Sequence, residues 1–262
     1  MQKIVSKENP LIKHIIKLKE KKYRNEYNEF IIEGVKITKE AIKEKASIKN
    51  IIVNEELLSN GLIQRYLKED LKKYEYIQVP NTIFKELTDV DNPQGILAVI
   101  EKSKKNLEFD VKSDIILAID NIQDPGNLGT IIRTADSAGV NQILISKGTV
   151  DPYNLKVIRS TMGSIFRVKI VDCEDLAKEL KNLKKDKFKI LATSLNANKS
   201  IYDVKLKDII LVIGNEANGI SKEILEIADE KIIIPMVGKT ESLNAAVATG
   251  IVLYEYMRQK LY

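Results

Sequence analysis

A chain of 262 residues, with 44% apolar and 30% charged residues, is long enough for two domains and has the composition of a folded globular protein. No apolar run approaches the ~20 residues that span a bilayer, and the lysine-rich N-terminus lacks the apolar segment of a signal peptide, so we expect a cytoplasmic protein without a membrane anchor. The only cysteine, Cys173, and the only histidine, His14, exclude an internal disulfide and a cysteine-based zinc site and leave little room for a Ser-His or Cys-His nucleophile. We therefore expect no metal.

The net charge of +5 is modest, but its distribution is uneven. Residues 1–25 carry eight basic side chains against two acidic ones, and a short helix is predicted to begin at Asn9-Pro10. Such a segment is typical either of a solvated helix face or of a surface that binds phosphate, and charge alone does not decide between them. Tyr23, among the basic residues, could stack on a base or pack against the protein.

Residues 1–100 alternate between predicted strands and helices, which indicates an α/β architecture. The predicted strands are Phe30–Ile32, Ile48–Val53, Tyr76–Val79 and Gly95–Ile100. The predicted helices are Val35–Lys45, Glu55–Lys68 and Thr82–Leu87. Residues 101–113 are charged and nearly without periodicity, so we predict that they link a domain of residues 1–100 to a second domain of residues 114–262.

The second domain repeats the α/β pattern. Its first predicted strand, Ile115–Ile119, is wholly apolar, as strands of a parallel sheet covered on both faces are. The later predicted strands are Gln142–Ile145, Val168–Val171, Lys189–Ala192, Ile209–Ile213 and Lys231–Ile234. Helices are predicted over Thr130–Ala138 and Ala245–Arg258, where Leu243, Val247 and Ile251 recur on one face.

Three polar turns follow apolar strands, at Asp124–Arg133, Gly214–Gly219 and Met236–Asn244. Because ligands of open α/β sheets bind outside the carboxyl ends of the strands, we expect the three turns to converge on one crevice. None of them matches a P-loop or the spaced-glycine dinucleotide fingerprint, which argues against nucleotide hydrolysis and against NAD.

These turns carry three ordered motifs that resemble the SpoU (TrmH-like) family of the SPOUT superfamily, RNA ribose 2′-O-methyltransferases that use S-adenosylmethionine. The motifs are Asn121-x-x-Asp124-Pro125-x-Asn127-x-Gly129-x-x-x-Arg133-Thr134-Ala135, then Gly214-Asn215-Glu216-x-x-Gly219, then Ile234-Pro235-Met236 followed by Ser242-Leu243-Asn244. More weakly, several N-terminal residues resemble the family's substrate-binding domain, which is itself similar to a ribosomal RNA-binding protein. They are Asn9-Pro10, Lys13, Arg24, Phe30, Glu33-Gly34 and Pro93-Gln94-Gly95.

The resemblance implies a fold that topology rules would not suggest, because true knots are very rare. It implies a parallel sheet whose C-terminal segment forms a deep trefoil knot, preceded by a smaller N-terminal α/β domain that binds RNA. It also implies a homodimer in which each active site is built from both subunits.

The resemblance also implies the site residues. Those matching catalytic positions are Arg133, Glu216, Asn127, Ser242 and Asn244. In the family the matching arginine is proposed to activate the ribose hydroxyl. A guanidinium pKa above ~12 makes a general base costly, so Arg133 could instead bind phosphate and stabilise the developing oxyanion. Glu216 would orient Arg133 or the substrate hydroxyl. The plain alternative for Asn127, Ser242 and Asn244 is helix capping, and for Glu216 a surface carboxylate.

For the cofactor and the RNA the resemblance gives two further sets. S-adenosylmethionine would be held, largely by backbone groups, at Thr193, Gly214, Ile234, Met236 and Leu243. RNA phosphates would be bound by Lys13, Lys21, Lys22 and Arg24. The apolar members of the first set could equally be core residues.

The predicted function is methyl transfer from S-adenosylmethionine to a ribose 2′-OH of structured RNA, with ribosomal RNA favoured over transfer RNA. Two alternatives belong to other classes: an RNA-binding protein without catalysis, and an enzyme that methylates a base instead of a ribose. Arg133, Glu216, Ser242 and Asn244 are all present, which argues against the first of these.

Overall fold

The structure is a computed structural model that describes residues 2–59, 61–102 and 113–262. Most of the predicted linker, residues 103–112, therefore lies outside the described residues. The described chain divides into two compact units. Unit 1 contains the described residues up to 102 together with Tyr153–Phe166, and unit 2 contains residues 113–152 and Arg167–Tyr262.

In the first hundred residues strands and helices alternate as predicted. The strands are β1 (Gln2–Lys3), β2 (Glu29–Glu33), β3 (Ile48–Asn54), β4 (Ile77–Val79) and β5 (Ile96–Glu101). The helices are α1 (Pro10–Lys17), α2 (Lys21–Tyr27), α3 (Val35–Lys43), α4 (Gly61–Leu71) and α5 (Asn81–Leu87).

From residue 113 onward the described chain has a second set of elements. The strands are β6 (Ile115–Ile119), β7 (Gln142–Ser146), β8 (Lys169–Cys173), β9 (Lys189–Thr193), β10 (Lys199–Ser200), β11 (Ile209–Ile213) and β12 (Glu230–Ile233). The helices are α6 (Pro125–Ser137), α7 (Leu155–Thr161), α8 (Leu176–Lys184), α9 (Lys222–Ile227) and α10 (Ala245–Leu261). No helix in the described part of the chain is long and apolar enough to cross a membrane.

Unit 1 is built on a five-stranded mixed sheet in the order β1-β4-β3-β5-β2. Strand β5 pairs antiparallel with both β2 and β3, whereas β4 runs parallel to β1 and β3. Its core contains fully buried Ile12, Ile15 and Phe84, which come from α1 and α5. The predicted apolar face of α1, Leu11, Ile15, Ile16 and Leu18, is confirmed for Ile15 and Leu18 and wrong for Ile16, which is exposed while Ile12 is buried instead.

Helix α7 differs from the predicted domain division, which placed all of residues 114–262 in one domain. The helix lies between β7 and β8 in the sequence, yet it packs against β2 of unit 1. Leu155 joins the unit 1 core, and the Phe30 and Tyr153 rings lie 4.8 Å apart. An amphipathic helix pattern shows which face is buried but not which sheet covers it, so the sequence could not reveal this exchange.

Unit 2 has the predicted parallel sheet. Seven strands run parallel in the order β10-β12-β9-β11-β6-β7-β8. All five residues of β6 and of β11 are buried, because these central strands are covered on both faces. The carboxyl ends of β6, β9, β11 and β12 consequently open onto the same edge, where the polar turns begin.

Several elements differ from the sequence predictions, most clearly three helices. Helix α4 begins at Gly61 rather than Glu55. Helix α6 begins at Pro125 rather than Thr130, because Asp124 caps it and proline is favoured in the first turn. Helix α2 was not predicted, since its sequence Lys-Lys-Tyr-Arg-Asn-Glu-Tyr has almost no apolar periodicity.

Candidate active site

Asn127 joins the three polar turns. Its side-chain Nδ2 donates a short hydrogen bond to Glu216 Oε1, and its Oδ1 accepts one from Asn244 Nδ2 at 3.0 Å. The three residues come from the three motifs, separated by 89 and 117 positions in the sequence. The predicted convergence of the turns is confirmed.

The direction of these hydrogen bonds is fixed by the start of α10. Asn244 Oδ1 accepts from the backbone N–H groups of Ala246 (2.9 Å) and Val247 (3.2 Å), so Asn244 is the N-cap of the helix. Its amide Nδ2 must then point away as a donor, which makes Asn127 Oδ1 the acceptor. The remaining amide group of Asn127 can only donate, and it faces the carboxylate of Glu216.

The turn after β6 is held rigidly before α6 begins. Asn121 has a positive φ of 60°, a conformation that asparagine tolerates better than most residues. Its backbone N–H donates to Ser146 Oγ at 2.8 Å, and its carbonyl accepts from Asn215 Nδ2 at 2.9 Å. Asp124 Oδ1 then accepts from the N–H of Asn127 at 2.8 Å. Asn127 is thereby placed in the first turn of α6.

The turn after β11 presents Glu216 at its tip. Asn215 and Gly219 exchange two backbone hydrogen bonds, of 3.0 and 2.9 Å. The turn is so tight that a Cβ on Gly214 would lie 2.4 Å from the carbonyl carbon of Gly219. Asn215 Oδ1 also accepts from the backbone N–H groups of Ala217 and Asn218, which closes the turn from inside. Asn215 has a structural role that the sequence analysis did not assign, although asparagine in a glycine-bounded turn is a signal for one.

Ser242 and Asn244 have different roles. Asn244 caps α10, whereas the side chain of Ser242 is exposed and makes no hydrogen bond within the described residues. The capping alternative is therefore wrong for Ser242. Its backbone carbonyl accepts from Thr240 Oγ1 at 3.1 Å, which leaves the serine hydroxyl available to a ligand.

Helices α6 and α10 pack side by side. Asn127 meets Asn244 near both N-termini, a Cβ on Gly250 would lie 3.7 Å from Thr134, and Ser137 Oγ lies 3.4 Å from Tyr254 Oη further along.

Arg133 lies on the exposed side of α6. Within the described residues its guanidinium forms no hydrogen bond or ion pair, and Glu216 bonds to Asn127 instead of to Arg133. A long cationic side chain without a partner among the described residues is free to meet an anion from outside. The structure thus leaves Arg133 available to a phosphate or to an oxyanion.

A cavity of about 340 Å³ lies beside the Asn127 hydrogen bonds. Its wall includes Glu216, Ser242 and all five residues predicted to bind the cofactor, namely Thr193, Gly214, Ile234, Met236 and Leu243. Ile220 and Ile232, both buried, supply apolar wall, and the turn backbones supply polar groups.

This combination suits S-adenosylmethionine, whose adenine needs apolar faces and whose edges need hydrogen-bonding groups. One hydroxyl proton is already committed, since Thr193 Oγ1 donates to the carbonyl of Val212 at 3.1 Å. No group of three or more potential metal ligands occurs among the described histidines, cysteines and carboxylates.

The four residues predicted to bind RNA are not equivalent. Lys21 and Lys22 are exposed, and neither forms an ion pair within the described residues. Lys13 is also exposed but pairs with Glu8. Arg24 is only 3% exposed, and its Nη1 donates to the carbonyls of Leu18 (2.9 Å) and Lys19 (2.7 Å).

The assignment of Arg24 to RNA phosphate is therefore wrong. The carbonyls at the end of a helix lack intrahelical partners, and a guanidinium can satisfy two of them at once. Arg24 closes the end of α1 in this way, and a charge pattern alone could not distinguish it from its exposed neighbours.

Two family models match the chain. The SpoU rRNA methylase family matches residues 114–254, and the MRM3-like substrate-binding domain matches residues 9–98. Together the two matches extend over both sequence regions in which the motifs were found.

Known proteins resemble the chain over two thirds of its length or nearly all of it. The 23S rRNA (guanosine(2553)-2′-O)-methyltransferase RlmP of Bacillus subtilis is 35% identical over 97% of this chain and 98% of its own. The 23S rRNA (guanosine-2′-O-)-methyltransferase RlmB of Vibrio parahaemolyticus is 34% identical over 65% of this chain and 72% of its own. The AdoMet-bound rRNA methyltransferase of Sinorhizobium meliloti is 30% identical with a TM-score of 0.86, over 100% of this chain and 98% of its own. This chain belongs to the SpoU rRNA methylase family.

Proposed function

We propose that the chain transfers the methyl group of S-adenosylmethionine to a ribose 2′-OH of 23S ribosomal RNA. The observation that carries this proposal is the Glu216–Asn127–Asn244 hydrogen-bond chain, which holds three motifs together beside a cavity lined by all five predicted cofactor residues. Relatives named for guanosine 2′-O-methylation of 23S rRNA support the ribosomal substrate over transfer RNA. This substrate would place the reaction in the cytoplasm.

The residues of the site have distinct proposed tasks. The bound cofactor supplies an activated methyl group, so the protein must chiefly position the hydroxyl in line with it. Glu216 uses Oε1 for Asn127, which leaves Oε2 to accept the 2′-OH and to take its proton as the O–CH₃ bond forms and the S–CH₃ bond breaks. Asn127 keeps that carboxylate in place, and Ser242 contacts the ribose.

Arg133 acts as an electrostatic residue in this proposal. A guanidinium stays protonated at any physiological pH, so a role as base would require a very costly deprotonation. As a cation it can bind the phosphate next to the target ribose and stabilise the negative charge that develops on the attacking oxygen.

We further propose that the chain is a homodimer and that Arg133 serves a site completed by the second copy. Arg133 is exposed without a partner in the described residues, and the same pair of helices exposes Val247 (52%) and Tyr254 (56%). Large apolar side chains next to an unpaired cation suit a surface that a partner covers. Separation of the oligomeric states by size with light scattering would test this.

A trefoil knot around the third motif also remains a proposal. After β12 the chain must cross the carboxyl ends of β9 and β11 to bring Asn244 to Asn127, which follows β6. That return, past the Gly214–Gly219 turn, is the path that a threaded C-terminus would take.

The domain of residues 1–100 is proposed to deliver the RNA.

The test is methyl incorporation from labelled S-adenosylmethionine into ribosomal RNA, with transfer RNA assayed separately, from cells in which the gene is deleted. Nuclease digestion to nucleosides then distinguishes a ribose product from a base product. We expect a 2′-O-methylnucleoside from the ribosomal fraction. Binding of the RNA without incorporation would show the non-catalytic alternative to be correct.

Arg133→Ala should abolish the transfer while S-adenosylmethionine binding, measured by calorimetry, stays within about twofold of wild type. Thr130→Ala is the matched control, because Thr130 is exposed one turn earlier on α6. A loss of cofactor binding in Arg133→Ala would show that its proposed role is mistaken.

A further inference from the structure

The basic N-terminal segment contains two kinds of lysine. Four lysines are neutralised by carboxylates of unit 1: the pairs are Lys3–Glu55, Lys7–Glu86, Lys13–Glu8 and Lys19–Asp89. Three others, Lys17, Lys21 and Lys22, are exposed and have no carboxylate partner within the described residues. The lysines of this segment that form no ion pair therefore lie together where α1 ends and α2 begins, on either side of Glu20.

An aromatic cluster lies at the same place. The rings of Tyr23 and Tyr27, one helical turn apart on α2, are nearly parallel, with 11° between their planes and 6.1 Å between centroids. Tyr27 packs against the unit 1 core and against the His14 ring at 4.6 Å, and His14 Nε2 is bound to Glu29 at 2.6 Å. Tyr27 is thus held in place, and it supports the outer ring of Tyr23.

The unpaired lysines surround that outer ring. The ammonium groups of Lys17 and Lys22 lie 5.3 and 5.5 Å from the Tyr23 centroid. Two cations near one ring repel each other, and neither ammonium group forms an ion pair with a carboxylate of the described residues. An anion that approached the ring would relieve the repulsion.

We propose that Tyr23, Lys17, Lys21 and Lys22 form a nucleotide-binding site, here called the Tyr23 site, for one unpaired residue of an RNA strand. The base stacks on Tyr23, and the lysines bind the flanking phosphates. This chemistry requires a single-stranded or flipped-out nucleotide, because a paired base does not expose its face. The inference rests on the proposed RNA substrate, but the site belongs to unit 1, whereas the methylation cavity belongs to unit 2.

The stacking part is tested with the full-length protein and a short single-stranded oligoribonucleotide that carries one 2-aminopurine. Stacking on Tyr23 should quench the fluorescence of this base, and the same strand in a duplex should show little quenching. Tyr23→Leu keeps apolar volume without a ring, so it should lose the quenching and bind about 10-fold more weakly, while Tyr23→Phe should retain both. Unchanged quenching in Tyr23→Leu would overturn the stacking assignment.

The phosphate part is tested by the salt dependence of the same binding. For single strands each lost phosphate contact lowers the slope of log K against log salt by about 0.7, so Lys17→Gln/Lys22→Gln should lower it by about 1.4. Lys3→Gln/Lys7→Gln is the matched control, because it removes the same charge from lysines that are already paired. If both double variants lowered the salt slope equally, the RNA would be attracted by the overall positive charge of the segment and not bound at the Tyr23 site, which would refute the phosphate assignment.

Failure of this inference is distinguishable from failure of the proposed function. Circular dichroism shows whether Tyr23→Leu is folded, and if it is not, Tyr23→Phe and the lysine variants still decide the outcome. With ribosomal RNA as substrate, the variants should raise KM with kcat unchanged. A wild type that transfers no methyl group would refute the proposed function only, because the oligonucleotide measurements do not depend on transfer.

Discussion

Exchanging the side-chain chemistry of Asn127 and Glu216 tests whether their hydrogen bond holds the cofactor cavity together. In Asn127→Asp the donor to Glu216 is lost and two carboxylates face each other, while the acceptor for Asn244 is kept. In Glu216→Gln the acceptor carboxylate is replaced by a neutral amide, which carries both an acceptor oxygen and a donor nitrogen. The double variant restores one donor and one acceptor with their positions exchanged.

The expected loss of S-adenosylmethionine affinity follows from the strength of the Asn127–Glu216 hydrogen bond and from the solvent exposure of Glu216. A hydrogen bond to a charged group contributes about 1.5–3 kcal/mol when shielded, and Glu216 is exposed, so about 1–2 kcal/mol is expected here. Because Glu216 lines the cavity, we expect Asn127→Asp to weaken S-adenosylmethionine binding roughly 5- to 30-fold. The double variant should return to within about threefold of wild type.

Calorimetry of S-adenosylmethionine binding measures this without relying on activity, in which Glu216 has its own proposed role. Gln123→Ala is the control, since Gln123 is exposed in the turn before α6, does not line the cavity and forms no side-chain hydrogen bond within the described residues. If the losses of the two single variants simply add in the double variant, the bond does not couple the turns and the reasoning is refuted.

Arg24→Ala should lower the free energy of unfolding by about 2–4 kcal/mol in urea titrations, because it leaves two carbonyls at the end of α1 without their donor; unchanged stability would contradict the structural assignment. Gly214→Ala should destabilise the turn by about 1–3 kcal/mol and weaken cofactor binding, whereas Gly238→Ala, whose Cβ would meet open space, should do neither. Burial raises the pKa of Glu33 above its ordinary 4.5, so the native state holds this proton more tightly than the unfolded chain, and the resulting stability is lost as pH rises through the raised pKa. Glu33→Gln should therefore gain stability relative to wild type as the pH rises above about 4.5; a difference that stays constant with pH would refute this.

In unit 2 the sequence predicted the site best where several local signals agreed. The apolar strands, the polar turns after them and the rule that ligands bind at carboxyl strand ends together predicted the meeting of Asn127, Glu216 and Asn244. Each turn is specified by its own residues, such as the Asp124 cap and the Gly214–Gly219 closure. Such local devices are visible in a sequence.

The sequence failed where a role depends on the folded geometry instead of on residue type. Arg24 resembles its exposed neighbours in charge, and only the folded turn between α1 and α2 brings it to the carbonyls of Leu18 and Lys19. Ser242 and Asn244 are both capping residue types two positions apart, and only the true first residue of α10 determines which one caps. The difference between Lys17 and Lys19 likewise depends on Asp89, which lies 70 positions from Lys19.

The position of α7 means that the two units cannot be separated by one cut in the gene. A fragment ending before residue 103 would lack Leu155 and Tyr153, which complete its core and cover Phe30. A fragment beginning at residue 113 would carry α7 with buried Val157 and Ile158 turned outward, a surface prone to aggregation. Exchange of either unit between relatives would therefore have to transplant residues 153–166 together with the N-terminal unit, as a discontinuous module.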